Sequence, residues 1–198
     1  MNEEFKACIA TSRQLCRDGK RDAARQLLLE ATEEGSIDAM IELADMALGD
    51  GNRSESDFWM DSAEQILGPH DEDGRISLSG AYAIGLGSGT REEQEGRALD
   101  HLLAIAGMGN TVAQERVAVY YLHGLNGCVK DERKFEHWIG EAMAAGSPNA
   151  AFFYGEHLLR SDRPIPVDVV DLLEEGKLTS KRIRALLRAI ARRAKSHS

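Results

Sequence analysis

A glycine-rich run is the first feature of this sequence that could carry chemistry. Gly85-Leu86-Gly87-Ser88-Gly89 has three glycines in five residues, and loops of that kind can wrap their backbone amides around a phosphate. A phosphate-binding loop follows a strand and ends in a Lys-Ser or Lys-Thr pair, whereas this run follows a helical pattern and has no such pair. Because Gly124 and Gly127 recur at the equivalent place in a later segment, the run is predicted to be a turn.

Other residue types that often catalyse reactions or bind metals are not spaced for either task. No His-Glu-x-x-His or Cys-x-x-Cys motif occurs, and no serine lies in Gly-x-Ser-x-Gly or Ser-x-x-Lys. The paired acids Glu33-Glu34 and Glu92-Glu93 lie at predicted helix ends, where exposed carboxylates are ordinary. The histidines are scattered along the chain: His70, His101, His123, His137, His157 and His197. We therefore expect no catalytic residue, no cofactor-binding residue and no metal ligand, and the chain is predicted not to be an enzyme.

The cysteines and the start of the chain bear on its location. Cys8 and Cys16 are eight residues apart on a predicted helix, so their Cα atoms would lie roughly 12 Å from each other, which is too far for a disulfide. No apolar run approaches the roughly 20 residues of a membrane span, and the acidic first residues do not resemble a secretory signal. These features predict a cytoplasmic protein with reduced thiols.

Charge is distributed unevenly along the chain. The 198 residues carry a formal net charge of −9, yet residues 177–198 contain eight Lys or Arg and no acid. Residues 1–176 therefore hold 16 basic residues against 33 acidic ones, a balance of −17. A body this acidic should repel nucleic acid and attract basic partners.

The basic C-terminal stretch allows two interpretations. Ile183, Leu186, Leu187, Ile190 and Ala194 form one apolar stripe at helical spacing, which suits a helix that caps the preceding structure. The rest of its surface is positive, with Lys181, Arg182, Arg184, Arg188, Arg192 and Arg193. Positive charge at a helix N-terminus costs about 0.3–1 kcal/mol per residue, so the first two suggest a second role. This helix could instead contact the acidic body, an acidic partner, RNA or a membrane surface.

A repeated pattern indicates which elements hold all of these residues. A small residue is followed four places on by an apolar residue, then by a small one, and three places later by an aromatic or apolar residue. The four copies are Ala39–Leu43–Ala44–Ala47, Gly74–Leu78–Ser79–Tyr82, Ala113–Val117–Ala118–Tyr121 and Ala150–Tyr154–Gly155–Leu158. A period of 35 to 39 residues is typical of a stack of small helical units rather than of one globular core.

Each unit is predicted to contain two helices joined by a glycine turn. The first, or A helix, carries the pattern above, and the second, or B helix, has a bulky residue eight places before a closing glycine, as in Trp138 and Gly146. His101 occupies the same place before Gly109, so we expect it to replace a packing aromatic residue. The predicted helices span residues 3–17, 20–34, 37–49, 54–67, 74–84, 91–107, 111–123, 131–145, 148–160, 166–175 and 179–195.

Two of these units resemble the Sel1-like repeat, a relative of the tetratricopeptide repeat. The family pattern is Ala-x-x-x-Leu-Gly-x-x-Tyr-x-x-Gly-x-Gly-Val, then Asp-x-x-Lys-Ala-x-x-Trp, then Ala-Ala-x-x-Gly. The best copy contains Ala113, Val117, Ala118, Tyr121, Gly124, Gly127, Val129, Asp131, Lys134, Trp138, Ala142 and Gly146. It has one extra residue in the turn between Gly124 and Val129. The next best copy contains Leu78, Ser79, Tyr82, Gly85, Gly87, Arg97, Ala98, His101 and Gly109.

The resemblance extends over roughly residues 5–175 and implies the fold. It implies an all-α protein, a right-handed α/α superhelical solenoid of about five helix pairs plus a C-terminal capping helix. Residues 1–176 would form the Sel1-like repeat solenoid, and residues 177–198 the basic amphipathic helix or tail.

The resemblance also implies a function. Proteins of this family bind other proteins, and in bacteria they serve as adaptors, as regulators and as immunity proteins that neutralise toxins. We therefore expect a non-enzymatic interaction module whose concave acidic face, lined by A helices, binds a basic protein. The candidate contacts are A-helix positions expected to be exposed: Glu42, Asp45, Tyr120, His123, Glu156 and His157. The alternative is a regulatory protein that binds RNA, other nucleic acid or an acidic partner through the basic C-terminal helix.

Overall fold

The computed structural model describes residues 3–177 and 180–196, and every regular element in these ranges is an α-helix. The helices are α1 (Glu3–Arg17), α2 (Arg21–Glu33), α3 (Ile37–Gly49), α4 (Arg53–Ile66), α5 (Glu72–Ala83), α6 (Arg91–Gly107), α7 (Thr111–His123), α8 (Glu132–Ala144), α9 (Pro148–Arg160), α10 (Val167–Gly176) and α11 (Lys181–Ser196). All eleven predicted helices are present, so the all-α prediction is confirmed. Thr179, the predicted start of the last helix, lies outside the described residues. None of the helices in these ranges has the length and apolar composition that a membrane span requires.

The A helices α3, α5, α7 and α9 each begin with a side-chain cap. Ser36, Asp71, Asn110 and Ser147 accept a hydrogen bond from the backbone amide three residues further on. That amide belongs to the first small residue of each repeat copy. A cap of this kind satisfies one amide left unpaired at a helix start and stabilises the helix by about 1 kcal/mol. The cap is thus a fifth repeated position, one that the predicted pattern did not include.

The glycine run between α5 and α6 is a turn, as predicted. Gly87 has a φ of 86°, a left-handed conformation that glycine adopts without strain. A Cβ at this position would lie 2.7 Å from the Tyr82 ring. The carbonyl groups of Gly85 and Gly87 accept hydrogen bonds from Gln94 Nε2 at 3.2 and 2.7 Å. The turn is therefore held by the next helix.

The chain divides into two compact units, Met1–Ile105 and Ala106–Ser198. In unit 1, α1 packs against α2 and α3 against α4, and Ser79 Oγ of α5 donates a hydrogen bond to the Ala98 carbonyl of α6 at 2.8 Å. In unit 2, α7 packs against α8 and α9 against α10, while α11 lies against both α9 and α10. The described helices therefore form five successive pairs and one further helix, as the repeat pattern predicts.

The repeated pattern residues make up the interior of both units. Fifteen of the sixteen are buried, and Leu43, Ala44 and Ala118 have no exposed surface. Small side chains at such positions allow two helices to approach closely, and the aliphatic ones supply apolar area that is removed from water. The exception is Tyr154, which is only half-buried.

The last helix covers part of unit 2 with its apolar stripe. Ile183 and Leu186 are 2% and 6% exposed, and they share one core cluster with residues of α9 and α10. Leu187 and Ile190 pack partly against that cluster. Ala194 is exposed and lines a cavity of about 340 Å³ with Ile190, Pro164 and Ile165, so it lies on the stripe side of α11 but is not buried there. The packing agrees with a capping helix, and the proposed boundary between residues 1–176 and 177–198 stays a prediction.

The three cysteines are free thiols. Cys128 is buried, and Cys8 and Cys16 are half-buried. Burial raises the pKa of the Cys8 and Cys128 thiols, so these two are protonated at neutral pH and are weak nucleophiles.

Candidate protein-binding site

The A helices of unit 1 border an open groove. α1, α3 and the start of α2 line a cavity of about 630 Å³, a volume typical of clefts that bind ligands. The charged side chains in its lining are Arg13, Arg17, Arg21, Glu42 and Asp45. Two of the six predicted contact residues, Glu42 and Asp45, therefore lie in this cavity, which we call the α1–α3 groove.

A second cavity, of about 370 Å³, extends the α1–α3 groove towards α5. Arg13 and Glu42 line both cavities, so the two adjoin at this pair of side chains. The second cavity is lined in part by Ile41 of α3 and by Ser77 of α5. Ser77 Oγ donates a hydrogen bond to Asp38 Oδ1 at 2.6 Å, which links α5 to α3 across the cavity wall.

Arg13 and Glu42, which line both cavities, form an ion pair. Arg13 Nε donates to Glu42 Oε1 at 2.9 Å, and this hydrogen bond is the main reason that the pKa of Arg13 is raised. Arg13 thus already balances the charge of Glu42, whose side chain is only 18% exposed. Asp45 is exposed. The lining combines positive and negative charge, which differs from the acidic surface that the sequence predicted for the A helices.

Two more arginines of the lining have partners along its edge. Arg21 Nη2 donates to the Met46 carbonyl at 2.8 Å and lies 2.8 Å from Asp50 Oδ1. Arg17 Nη2 donates to Gln14 Oε1 at 2.8 Å. Guanidinium donors and carboxylate acceptors thus stand side by side in the groove, and these are the groups that bind charged side chains and peptide carbonyls.

The predicted contact residues on α7 and α9 belong to unit 2. Tyr120 is half-buried, while His123 at the end of α7 is exposed. Glu156 is half-buried and accepts a hydrogen bond from Arg160 Nη2 at 2.9 Å, one turn further along α9. Of the six candidate contacts, only Asp45 and His123 are exposed rather than half-buried.

His157 differs most from its expected place. Its Nε2 lies 3.0 Å from Glu132 Oε1, and its ring stands edge-on to Phe135 with centroids 5.0 Å apart. The side chain is 17% exposed. His157 therefore packs α9 against α8 and is half-buried rather than exposed as expected, because the fold uses both its ring and its nitrogen; its role as a contact stays a prediction.

Half of the predicted basic residues of α11 have partners within unit 2. The Arg182 guanidinium lies 4.6 Å from the centre of the Phe152 ring, a contact worth about 0.5–1 kcal/mol at an exposed site. Arg184 Nη1 donates to the Lys177 carbonyl at 2.7 Å, just after α10. Arg193 Nη2 lies 2.9 Å from Asp162 Oδ1. The stacking of Arg182 offsets the dipole cost of a positive charge at this helix start.

The other three predicted basic residues of α11 are exposed. They are Lys181, Arg188 and Arg192, and the Nε of Arg192 donates to the Arg188 carbonyl at 3.3 Å. The buried stripe of α11 points into the unit, so its charged face is presented to solvent. This face stays a candidate for binding a polyanion.

His101 lies in a buried polar cluster of unit 1. Its Nε2 is 2.9 Å from Glu64 Oε1, and its ring is nearly parallel to that of Tyr82 at 6.0 Å between centroids. The hydrogen bond from His101 lowers the pKa of Glu64, whereas burial raises the pKa of Tyr82 to about 12. His101 is 7% exposed and joins α4, α5 and α6, as expected for a packing aromatic residue.

Arg13 is the site residue that the sequence analysis missed. Its partner Glu42 is 29 residues away on another helix, so neither residue's spacing signals the pair.

Among the described residues, no group of three or more His, Cys, Asp or Glu side chains is arranged to hold a metal ion.

Comparisons with known proteins identify the fold. No protein-family model matches the chain, and no curated protein is similar enough in sequence to be a relative. One similar crystal structure is a protective antigen present in uropathogenic Escherichia coli strains that displays an SLR fold. The two structures match with a TM-score of 0.57 and 19% sequence identity. The match covers 87% of this chain but only 37% of that protein.

A second similar structure is a Sel1 repeat protein from Oxalobacter formigenes. Its TM-score is 0.52 at 20% identity, and the match covers 91% of this chain and 77% of that one. Likeness at this level of identity concerns the fold alone. Together with the eleven described helices and their buried repeat positions, it shows that this chain has the all-α fold of the Sel1-like repeat proteins, as its residue pattern predicts.

Proposed function

We propose that this protein is a non-enzymatic module that binds another protein. The α1–α3 groove carries the proposal: it is open, lies on the A helices and contains both predicted contacts of unit 1, Glu42 and Asp45. Most of the repeated residues are buried between the helices, so the proposed contacts with a partner are made by groove residues outside the pattern. The action is occlusion or scaffolding of the partner, without a chemical step.

The partner is proposed to be basic. Residues 1–176 carry a formal charge of −17, which attracts cations over distances of the order of the roughly 8–10 Å Debye length. Within the groove, Asp45 is exposed and is available to a lysine or arginine of the partner. A bacterial adaptor and a cytoplasmic immunity protein that neutralises a toxin are the two specific forms of this function.

Capture of the partner with the full chain tests the proposal. The wild-type protein, Asp45→Lys and the control Asp100→Lys would each be used in a pull-down analysed by quantitative mass spectrometry. Asp100 is exposed in α6 and lies outside the groove lining, so it controls for the change of two charges. We expect one protein that is enriched by the wild type and by Asp100→Lys, and depleted with Asp45→Lys. Equal enrichment by all three would contradict binding in this groove.

A second candidate function is supported by the exposed cations of α11. Lys181, Arg188 and Arg192 face solvent, a distribution that suits RNA or an acidic partner. Removing the whole helix would also uncover the apolar cluster under Ile183 and Leu186, so substitution is the better test. The double variant Arg188→Gln/Arg192→Gln should lose salt-dependent RNA binding while Lys130→Gln, exposed elsewhere in unit 2, keeps it. Absence of RNA binding by the wild type would exclude RNA as the ligand of this helix.

A further inference from the structure

Unit 2 has a groove with a different lining. It lies between the B helices α8 and α10 and has a volume of about 790 Å³. Ile139 and Met143 of α8 and Leu172 of α10 provide apolar surface along it. We call it the α8–α10 groove.

The charged residues in the lining of the α8–α10 groove are all acids. They are Glu136, Asp168, Asp171 and Glu175, and the lining contains no Lys, Arg or His. Arg163 approaches from outside and donates to Glu136 Oε1 at 2.8 Å. The other three carboxylates belong to exposed residues of α10. The groove therefore combines an apolar strip with unbalanced negative charge.

Tyr154 of α9 also lines the groove and departs from the repeat there. The equivalent residues of the other three copies, Leu43, Leu78 and Val117, have no exposed surface. Tyr154 is half-buried, and its pKa is raised by burial and next by the Glu136 carboxylate. At this repeat position the chain therefore has a phenol in the groove lining, near the Glu136 carboxylate, instead of an aliphatic packing residue.

Gly140 keeps the groove open on the α8 side. It lies inside α8, where glycine is less stable than alanine. A Cβ at Gly140 would meet no atom within 4 Å, so the packing of unit 2 does not require glycine here. The missing side chain leaves room for a ligand to approach the α8 backbone closely.

We propose that the α8–α10 groove binds a basic amphipathic helix of a partner protein. The apolar face of such a helix would lie on Ile139, Met143 and Leu172, and its flanking lysines or arginines would meet the groove acids. A nucleic acid is excluded as occupant by the sign of the charge, and a wholly apolar segment would offer no cation to the three carboxylates of α10. This inference rests on the proposed function in taking a protein as the ligand, and it adds the ligand's chemistry and place.

A synthetic peptide provides the test. A fluorescein-labelled amphipathic helix of leucine and lysine would be titrated with the full chain by fluorescence polarisation, beside a peptide in which glutamate replaces lysine. We expect the chain to bind the lysine peptide and not the glutamate peptide. Gly140→Leu, which fills the groove, and Asp171→Lys, which reverses a groove charge, should each weaken this binding at least about tenfold. Glu141→Lys makes the same charge change on the exposed surface of α8 outside the lining and should bind like the wild type.

The outcomes separate this proposal from its competitors. Thermal unfolding by circular dichroism checks that each variant is folded; Asp171 is exposed, so its substitution tests the groove even if Gly140→Leu does not fold. Equal loss in Glu141→Lys and Asp171→Lys would show general charge attraction and overturn the proposal. The proposal would also be overturned if the wild-type chain self-associates in the absence of peptide and Gly140→Leu abolishes this. The occupant of the groove would then be a second copy of the chain. Asp45→Lys should bind the peptide normally, so failure here and failure of the α1–α3 groove remain distinguishable.

Discussion

The two grooves are built on the same repeat but differ in charge. In the α1–α3 groove, Arg13 already balances Glu42 and two further arginines lie in the lining. In the α8–α10 groove, four acids face an apolar strip, and no basic residue lies in the lining. Apart from Tyr154, which is half-buried, the repeat pattern is buried in both units. The proposed recognition therefore depends mainly on positions outside the pattern, which can change without disturbing the packing.

The largest expected effect tests whether unit 2 is closed by α11. Ile183 is 2% exposed within the cluster formed with α9 and α10. Ile183→Ala should lower the free energy of unfolding by about 2–5 kcal/mol, because it removes buried methyl groups and leaves a cavity. Urea denaturation measures this, with the exposed Lys181→Ala as control. If both variants are as stable as the wild type, α11 does not cap the unit.

A smaller effect tests whether the two units share one packing pattern. Ala44 and Ala118 occupy the same slot in different units, and both are fully buried. Ala44→Leu and Ala118→Leu should each cost about 1–3 kcal/mol by overpacking a helix crossing. Thermal unfolding should show a lower melting temperature for both and little change for Ala185→Leu, which is exposed on α11. An unchanged curve for Ala118→Leu would refute the proposed register.

Alkaline pH should act on unit 1 through Tyr82. Burial raises its pKa from 10 to about 12, so the folded state holds this proton more tightly than the unfolded state. The contribution of protonated Tyr82 to the free energy of unfolding is therefore complete below pH 10, and it is lost as the pH rises from about 10 to 12. Urea denaturation across this range should show a steeper loss in the wild type than in Tyr82→Phe. Parallel curves would mean that Tyr82 ionises as an exposed tyrosine does.

The smallest effect concerns the ion pair of the α1–α3 groove. The Arg13 side chain is 61% exposed, and pairs of this kind contribute about 0–1 kcal/mol. Arg13→Gln should leave the melting temperature almost unchanged while removing the partner of Glu42, whose carboxylate is then available to a basic protein. It should therefore strengthen capture of a basic protein. A large loss of stability would instead assign Arg13 a structural role.

The helices and their packing were predictable because they follow from short-range patterns. The spacing of Ala113, Val117, Ala118 and Tyr121 places them on one helix face, and all four are buried. The same periodicity places Ala194 on the α11 stripe, yet Ala194 is exposed, because periodicity does not show how far a neighbouring helix covers the stripe. The caps at Ser36 and its equivalents stand at a constant spacing in the sequence, so they too belong to the short-range pattern.

The grooves were less predictable because they depend on distances between helices. Exposure of Asp45 and His123 follows from their place on a helix, whereas the contact of His157 with Glu132 and Phe135 needs the geometry of α8 against α9. One signal of the α8–α10 groove was present in the sequence. Tyr154 breaks an otherwise aliphatic slot, and a break in a repeat indicates a position with another task.

Hydrogen–deuterium exchange of the full chain with its captured partner tests the central claim most directly. The claim is that groove residues outside the repeat pattern bind a protein. It predicts that the partner slows exchange in α1 and α3, around Arg13 and Asp45, in the wild type and much less in Asp45→Lys. Protection confined to α11, with exchange in α1 and α3 unchanged, would contradict it.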